Sequence, residues 1–331
     1  MRFKPPVFVL GSPRSGTTWL YHLLLSSGGF AIYRAEARVF DMLAPRFGRF
    51  LNRTDRERLL AQWLPSELFL RSGLEAEAIS ARVLEQCGSP GDFLRILMEA
   101  IALEQGAVRW AECTPDNVFF MSEIKASFPD ARFIHMVRDG RDVALSLARQ
   151  GWILPYRWDT ARPSVPAALY WERAVRAGRE GGRRVHPDYL EVRFEDMVRD
   201  PEGALAGVAT FLEHRLDYAK IQRSAIGSVA RPNTSFGGDL EADPIFSPIE
   251  RWRSSYAERD LRLIEALIGP TLEELGYSLS TEREGRRLPV LERANRMLYR
   301  LRFASRTLLK SGTPLGRWLV DISILKGGWG G

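Results

Sequence analysis

Apolar and polar positions switch between two periods along this chain, and the switches mark its elements. Val7–Leu10 is an unbroken apolar run, the mark of a strand buried on both faces, and it stops at Gly11. A new apolar set with Leu20, Leu23 and Leu24 at helical steps predicts a helix from Thr17 to about Ser27, halted by Gly28-Gly29. Phe30–Tyr33 reads as a second short strand, and residues 39–107 read as mostly helical, broken at Gly73, Gly88 and Pro90. Within them Asp92–Gln105 spaces Phe93, Ile96, Leu97, Ala100 and Ile101 as one helix face. Val108–Ala111 reads as a third strand, and Thr114-Pro115 as cap and first position of a helix reaching about Ser127. Arg132–Val137 is the clearest later strand, and Val143, Ala144 and Leu147 lie on the helix after it. A helix from about Ala167 to Arg179, a fifth strand Tyr189–Phe194 and a helix carrying Phe211 and Leu212 continue the series. Residues 228–248, with Gly237-Gly238, have no period, as a lid or a disordered loop would. Arg251-Trp252-Arg253 then opens a helix ending near Gly276-Tyr277. Alternating strands and helices predict a three-layer α/β domain over residues 1–280, with a central, mainly parallel sheet flanked by helices.

The period returns in the tail, residues 281–331, expected to be a basic amphipathic extension. Leu291, Ala294, Leu298, Leu301, Ser305 and Leu308 recur at three- and four-residue steps, while arginines 293, 296, 300, 302 and 306 fill other positions. Such a helix either lays its stripe back on the domain or lies on an anionic membrane surface.

Charge sharpens this division. The chain of 331 residues carries +6, but residues 282–331 hold 11 Lys/Arg against 4 acids, leaving 36 against 37 elsewhere. The basic character therefore belongs to the tail and gives no reason to expect a nucleic-acid partner for the main domain. Two cysteines, Cys87 and Cys113, suggest neither a disulfide framework nor a metal site and point to a reducing compartment. The four histidines form no triad or metal pattern. The apolar run at the N-terminus is too short for a signal peptide or a span, so a cytoplasmic protein is expected, with membrane-peripheral contact under the second reading of the tail.

The chemistry concentrates in the first loop. Strand, glycine-bounded loop and helix aim backbone N–H groups and a helix N-terminus at one point, which suits an anion and above all a phosphate. Ser12, Arg14, Ser15, Gly16, Thr17 and Thr18 are candidate ligands there. Gly11 and Gly16 keep the spacing of a nucleotide P-loop, but Thr17 stands where its lysine would be, and Arg14 is the only cation in the loop. Glu36 lies between Arg34 and Arg38 just past a strand end, where open α/β sheets bind ligands; a surface charge cluster is the other reading. Arg138 and Ser146 are eight residues apart, about 12 Å if the segment is helical, and could grip one phosphate between them.

Four pieces together resemble the sulfotransferases that use 3′-phosphoadenosine 5′-phosphosulfate (PAPS). They are Pro13–Trp19; Arg138 with Ser146; Arg193–Met197 with Pro201-Glu202 and Phe211-Leu212; and Arg251–Arg253 through Leu275–Tyr277. The resemblance covers about residues 5–280, and Arg14 with Glu36-Ala37-Arg38 looks most like the tyrosylprotein and bacterial carbohydrate branches. It implies that the first loop binds the 5′-phosphosulfate, that Arg138 and Ser146 hold the 3′-phosphate, and that Arg251 and Arg253 belong to the PAPS site. It also implies that Glu36 is the catalytic base, with Arg14 stabilising charge on the bridging oxygen. Arg38 is expected to hold Glu36 and keep it ionised at neutral pH. No metal is asked for. Cys113 departs from the pattern, since related branches commonly carry a lysine there that helps the leaving group.

The expected activity is sulfuryl transfer from PAPS to a hydroxyl-bearing acceptor such as a sugar, a peptide tyrosine or another small molecule. The acceptor pocket is expected from residues 39–107, 150–166 and 228–250. A P-loop kinase or NTPase, and a non-catalytic PAPS- or PAP-binding protein, are the alternatives; Thr17 argues against the first and only Cys113 favours the second.

Overall fold

The computed structural model describes residues 3–227, 229, 247–282 and 288–325. Four parallel strands, β1 (Val7–Gly11), β2 (Ala111–Glu112), β3 (Arg132–Val137) and β4 (Tyr189–Arg193), lie in the order β2-β1-β3-β4. Val7 pairs with Arg132 and Gly11 with Met136, and Phe133 pairs in turn with Tyr189. The chain leaves β1 to one side for β2 and returns on the other for β3. The switch of direction therefore falls between β1 and β3, where doubly wound sheets open a ligand crevice at the strands' carboxyl ends.

β1 is fully buried because both of its faces are covered. Phe8 and Leu10 face a cluster built from the helices of residues 39–128, whereas Val7 and Val9 face one built on α1 (Thr17–Ser26). The first cluster is formed largely by α2 (Arg53–Trp63), α3 (Ala76–Gln86), α4 (Pro90–Glu104) and α5 (Met121–Ser127). After β3, α6 (Gly140–Gln150) packs closely on the long α7 (Ser164–Val185). α8 (Phe194–Arg199), α9 (Pro201–Leu212) and α10 (Tyr218–Ser224) follow β4 and join the α1 side. A short turn of helix, Trp252–Ser255, precedes α11 (Glu258–Glu274), and α12 (Val290–Ser311) closes the fold.

Phe30–Tyr33 is not a strand: Phe30 makes only an isolated bridge to Arg109, although Phe30, Ala31 and Tyr33 are buried. The third strand is displaced to Ala111–Glu112. The helix expected from Thr114 is divided into a 3-10 turn, Pro115–Phe119, and α5. Thr114 does not cap it, because its hydroxyl is spent on the Glu112 carboxylate 2.5 Å away. Most of the loop at 228–248 lies outside the described residues.

α12 docks on the domain through the face opposite to the stripe. Its buried residues are Asn295, Tyr299 and Phe303. Arg296 and Arg300 each donate to the buried carboxylate of Glu172 on α7 at 2.9 Å. Asn295 and Tyr299 donate to buried Asp159 at 3.1 and 2.9 Å. Leu291, Leu298, Leu301 and Leu308 face outward. Buried carboxylates need cations more than the domain needs four more leucines, and that demand decides which face turns inward.

Candidate active site

The loop after β1 is built for close approach. Gly11 has φ +150°, and a Cβ there would lie 2.5 Å from the Met136 carbonyl oxygen. Gly16, at φ +92°, leads into α1 with no side-chain cap and packs so tightly that a Cβ would lie 2.4 Å from the Phe194 ring. The open helix end carries no acid in its first turn, so its N–H groups and positive dipole end are offered to the crevice. Ser15 Oγ is buried and has no hydrogen-bond partner among the described residues, a donor waiting for an acceptor. Arg14 holds the left-handed conformation at φ +72°, a local cost typical of sites where geometry serves function.

Three guanidinium groups, Arg14, Arg138 and Arg251, crowd this end. Burial lowers Arg14 to about 10, and the charges of Arg138 and Arg251 push the same way. Arg14 Nε donates to Ser146 Oγ at 2.9 Å, so α6 and the first loop meet here. Arg138 is fully buried beneath the loop; it donates to the carbonyls of Arg14 at 3.0 Å and Pro248 at 2.5 Å, and lies 4.3 Å over the Phe194 ring. Its Nε has no partner among the described residues. The 249–253 segment is fastened to α6 by Asp142, which accepts from the backbone N–H groups of Glu250 and Trp252 at 2.9 Å each. A buried cluster of like charges favours an anion as its counter-charge. Ser12, Thr17 and Thr18 lie on the same loop and helix start; Ser12 and Thr17 are buried. Arg253 is not in the cluster: it pairs with Glu250 at 3.0 Å and lines a separate polar cavity beside Arg141 and Arg193.

Glu36 borders a cavity of about 580 Å³ that also reaches Pro13 of the first loop. Arg38 pairs with Glu36 at 3.3 Å and with Asp41 at 2.5 Å. Yet the Glu36 carboxyl is not held low as expected. Burial raises it to about 7; Arg38 opposes the shift, while Asp41, Glu112 and Asp116 add to it. Desolvation outweighs one partner that Asp41 shares. Beneath Glu36 lies Glu112, which sequence reasoning missed. Its carboxylate accepts from the backbone N–H groups of Ala37 and Thr114, both at 3.1 Å, from the Thr114 hydroxyl, and from Asn117 Nδ2. Thr114 Oγ1 in turn receives the Arg38 N–H at 3.2 Å. Glu112 thus fixes the segment bearing Glu36 to the end of β2; its signal was only a carboxylate at the end of a weak strand.

Cys113 is buried, and its thiol is pushed well above its ordinary value by desolvation and by Glu36 and Glu112. It stays protonated, which argues against a nucleophilic role for this thiol. The cavity wall comes partly from Trp152, Ile153 and Leu154, as expected of the 150–166 segment. Of residues 39–107 only Asp41 and Met42 take part, because the helices beyond them are spent on the core. The sequence did not suggest that α12 would supply part of the wall, through Arg302, Phe303, Arg306, Thr307 and Lys310. Among the described residues no group of three or more metal-ligating side chains comes together.

A family model described as the sulfotransferase family matches residues 5–218. A protein-tyrosine sulfotransferase from Drosophila melanogaster is 24% identical over 286 residues, covering 83% of this chain and 52% of that protein. The chain thus spans about half the length of that relative. Protein-tyrosine sulfotransferase 1 from Danio rerio is 25% identical over 291 residues, covering 82% of this chain and 72% of its own. Among solved structures, the sulfotransferase domain of the Synechococcus PCC 7002 olefin synthase aligns at a TM-score of 0.54 with 22% identity, covering 84% of this chain and 97% of that one. The sulfotransferase domain from the curacin biosynthetic pathway aligns at 0.54 with 18% identity, covering 84% and 100%. These structures share the fold, and the sequence match extends over well more than half of the chain: it belongs to the sulfotransferase family.

Proposed function

We propose that this protein transfers a sulfuryl group from PAPS to the hydroxyl of an acceptor held in the Glu36 cavity. The observation that carries the reading is the meeting of two unlike sites. An open, cation-rich helix N-terminus lies at one end, and a carboxyl tuned to about 7 borders a cavity that reaches the same loop. The residues present fit a phosphorylated donor: Ser15, Gly16, Thr17 and Thr18 with Ser12 and Arg14 would hold its 5′ end, and Arg138, Ser146 and Arg251 its 3′-phosphate. Arg253 would reach it only after leaving Glu250.

When bound, the donor supplies an S–O–P bridge whose cleavage leaves added charge on the 5′-phosphate. Arg14 and the N–H groups at the start of α1 are placed to stabilise that charge, which is where this chemistry gains most. Glu36 accepts the proton of the attacking hydroxyl. A base near 7 is half available at neutral pH and strong enough to take that proton, the balance general-base catalysis favours. Arg38 steers the carboxylate and Glu112 fixes its backbone. No metal enters this scheme. The acceptor is a hydroxyl compound of unassigned class. The reading places the enzyme in the cytoplasm, where its two buried free cysteines remain reduced, with peripheral membrane contact through the tail.

Calorimetry with 3′-phosphoadenosine 5′-phosphate, followed by an acceptor screen with radiolabelled PAPS, tests the proposal. Micromolar binding and label transfer support it. Binding of ATP in preference to the 3′-phosphorylated nucleotide, or nucleotide binding with no transfer to any hydroxyl acceptor, would overturn it.

A further inference from the structure

The docking of α12 leaves a face that nothing in the fold uses. Val290, Leu291, Met297, Leu298, Leu301 and Leu308 project away from the domain and are exposed, Val290 at 82% and Leu301 at 55%. Their three- and four-residue steps form one apolar stripe about 27 Å long. Beyond the helix, Leu315, Trp318 and Leu319 add to it, Trp318 at 83% exposure. Contiguous apolar surface of this kind in a water-facing position marks a contact site.

Its borders say what makes the contact. At 3.6 residues per turn, Arg293 and Arg300 flank the stripe on one side and Arg306 on the other, all three exposed although Arg300 also pairs with Glu172. The only acid in α12 is Glu292, which faces the domain and pairs with Arg162 at 2.6 Å. A second copy of this chain laid on the stripe would bring arginine border against arginine border with no carboxylate between them, a repulsive arrangement. An anionic bilayer satisfies both components, since its phosphates meet the arginines while its acyl chains meet the leucines. No described helix is long and apolar enough to cross a membrane, so the helix would lie in the interface rather than span it. Trp318 suits the headgroup level, where an apolar ring and an N–H both find a place.

We propose that the outward face of α12, with Trp318, is a docking surface for an anionic lipid bilayer. The two roles of the helix are compatible because its apolar positions divide: Tyr299 and Phe303 face the domain and the leucine stripe faces out, with Arg306 at the boundary between cavity and lipid. The proposal does not depend on the donor or acceptor of the reaction.

Flotation of the full chain with vesicles tests it. Binding to phosphatidylglycerol–phosphatidylcholine vesicles at low salt should exceed binding to phosphatidylcholine alone by at least tenfold, and should fall as salt rises. The double substitution Leu298→Glu with Leu301→Glu should abolish flotation and leave the thermal midpoint unchanged, since both side chains are exposed. The milder Leu298→Gln with Leu301→Gln should weaken flotation if the double glutamate variant misfolds. Absence of the full chain from anionic vesicles at low salt would overturn the proposal. So would equal flotation of the properly folded variants, or a concentration-dependent dimer that these variants dissolve.

Discussion

Glu36 is the residue whose chemistry is most sensitive to its surroundings. Because burial rather than the arginine sets its proton affinity, activity on an unactivated hydroxyl should depend on the ionised fraction near neutrality. The base must be deprotonated to act, so kcat/KM should rise with pH through about 7 and be lost below it, not near the ordinary carboxylate value. Arg38→Met removes the one cation that favours the carboxylate and should move that limb to higher pH; an unmoved limb would assign it to another group. Glu36→Gln should retain nucleotide affinity and reduce turnover by about 10²–10⁴. Full turnover in that variant would place the base elsewhere. At this scale the sequence drew attention to Glu36 and Arg38 but not to their environment. Glu36-Ala37-Arg38 names the pair, yet nothing in the string tells that nearby Asp41 and the distant Glu112 and Asp116 converge on it.

Elements were legible where local pattern and tertiary need agreed. β1 is an apolar run that stops at Gly11, β3 is mostly apolar and stops before Arg138, and β4 alternates Leu190 and Val192 with polar residues, while α6 carries Val143, Ala144 and Leu147 as expected. Phe30–Tyr33 had the composition of a strand, but beyond one bridge it finds no pairing edge, and Tyr33 spends its hydroxyl on the Leu68 carbonyl 2.8 Å away. Strand propensity describes a half-buried surface on a paired strand, and this segment buries Phe30, Ala31 and Tyr33 without that pairing. The loop between β1 and α1 depends on its second glycine in a way that can be measured. Gly16→Ala meets both a left-handed backbone and the Phe194 ring, so it should cost about 1–3 kcal/mol of stability. It should weaken nucleotide binding further than that loss of stability explains. A urea midpoint equal to wild type would mean that the loop is looser than it stands here. Phe194→Leu, which frees space at the same spot, should restore part of the loss when combined with it.

At the scale of the whole molecule, the two ends of the chain depend on each other. Tail composition foretold an amphipathic helix but not its orientation, because the carboxylates that choose the face, Asp159 and Glu172, lie far upstream and look like ordinary surface acids. Truncation before residue 288 would strip Glu172 of Arg296 and Arg300. Arg176 at 3.6 Å and the Thr271 hydroxyl at 3.1 Å stay with Glu172, so chemical denaturation should register a loss below the roughly 3–5 kcal/mol of a fully broken buried pair. A truncated chain as stable as the full one would show that the docking contributes little. Nucleotide binding should suffer less than acceptor use, since the cation cluster around Arg14 contains no tail residue. The cavity wall formed by Arg302, Arg306 and Lys310 also has a consequence for synthesis. On the ribosome, which delivers about 5–20 residues per second, the first loop and Glu36 emerge well before α12 and can fold with the sheet. Under the proposed function, the chamber for the acceptor closes only when α12 arrives. A nascent chain would thus pass through an interval in which it can hold a nucleotide but has no enclosed place to discharge it.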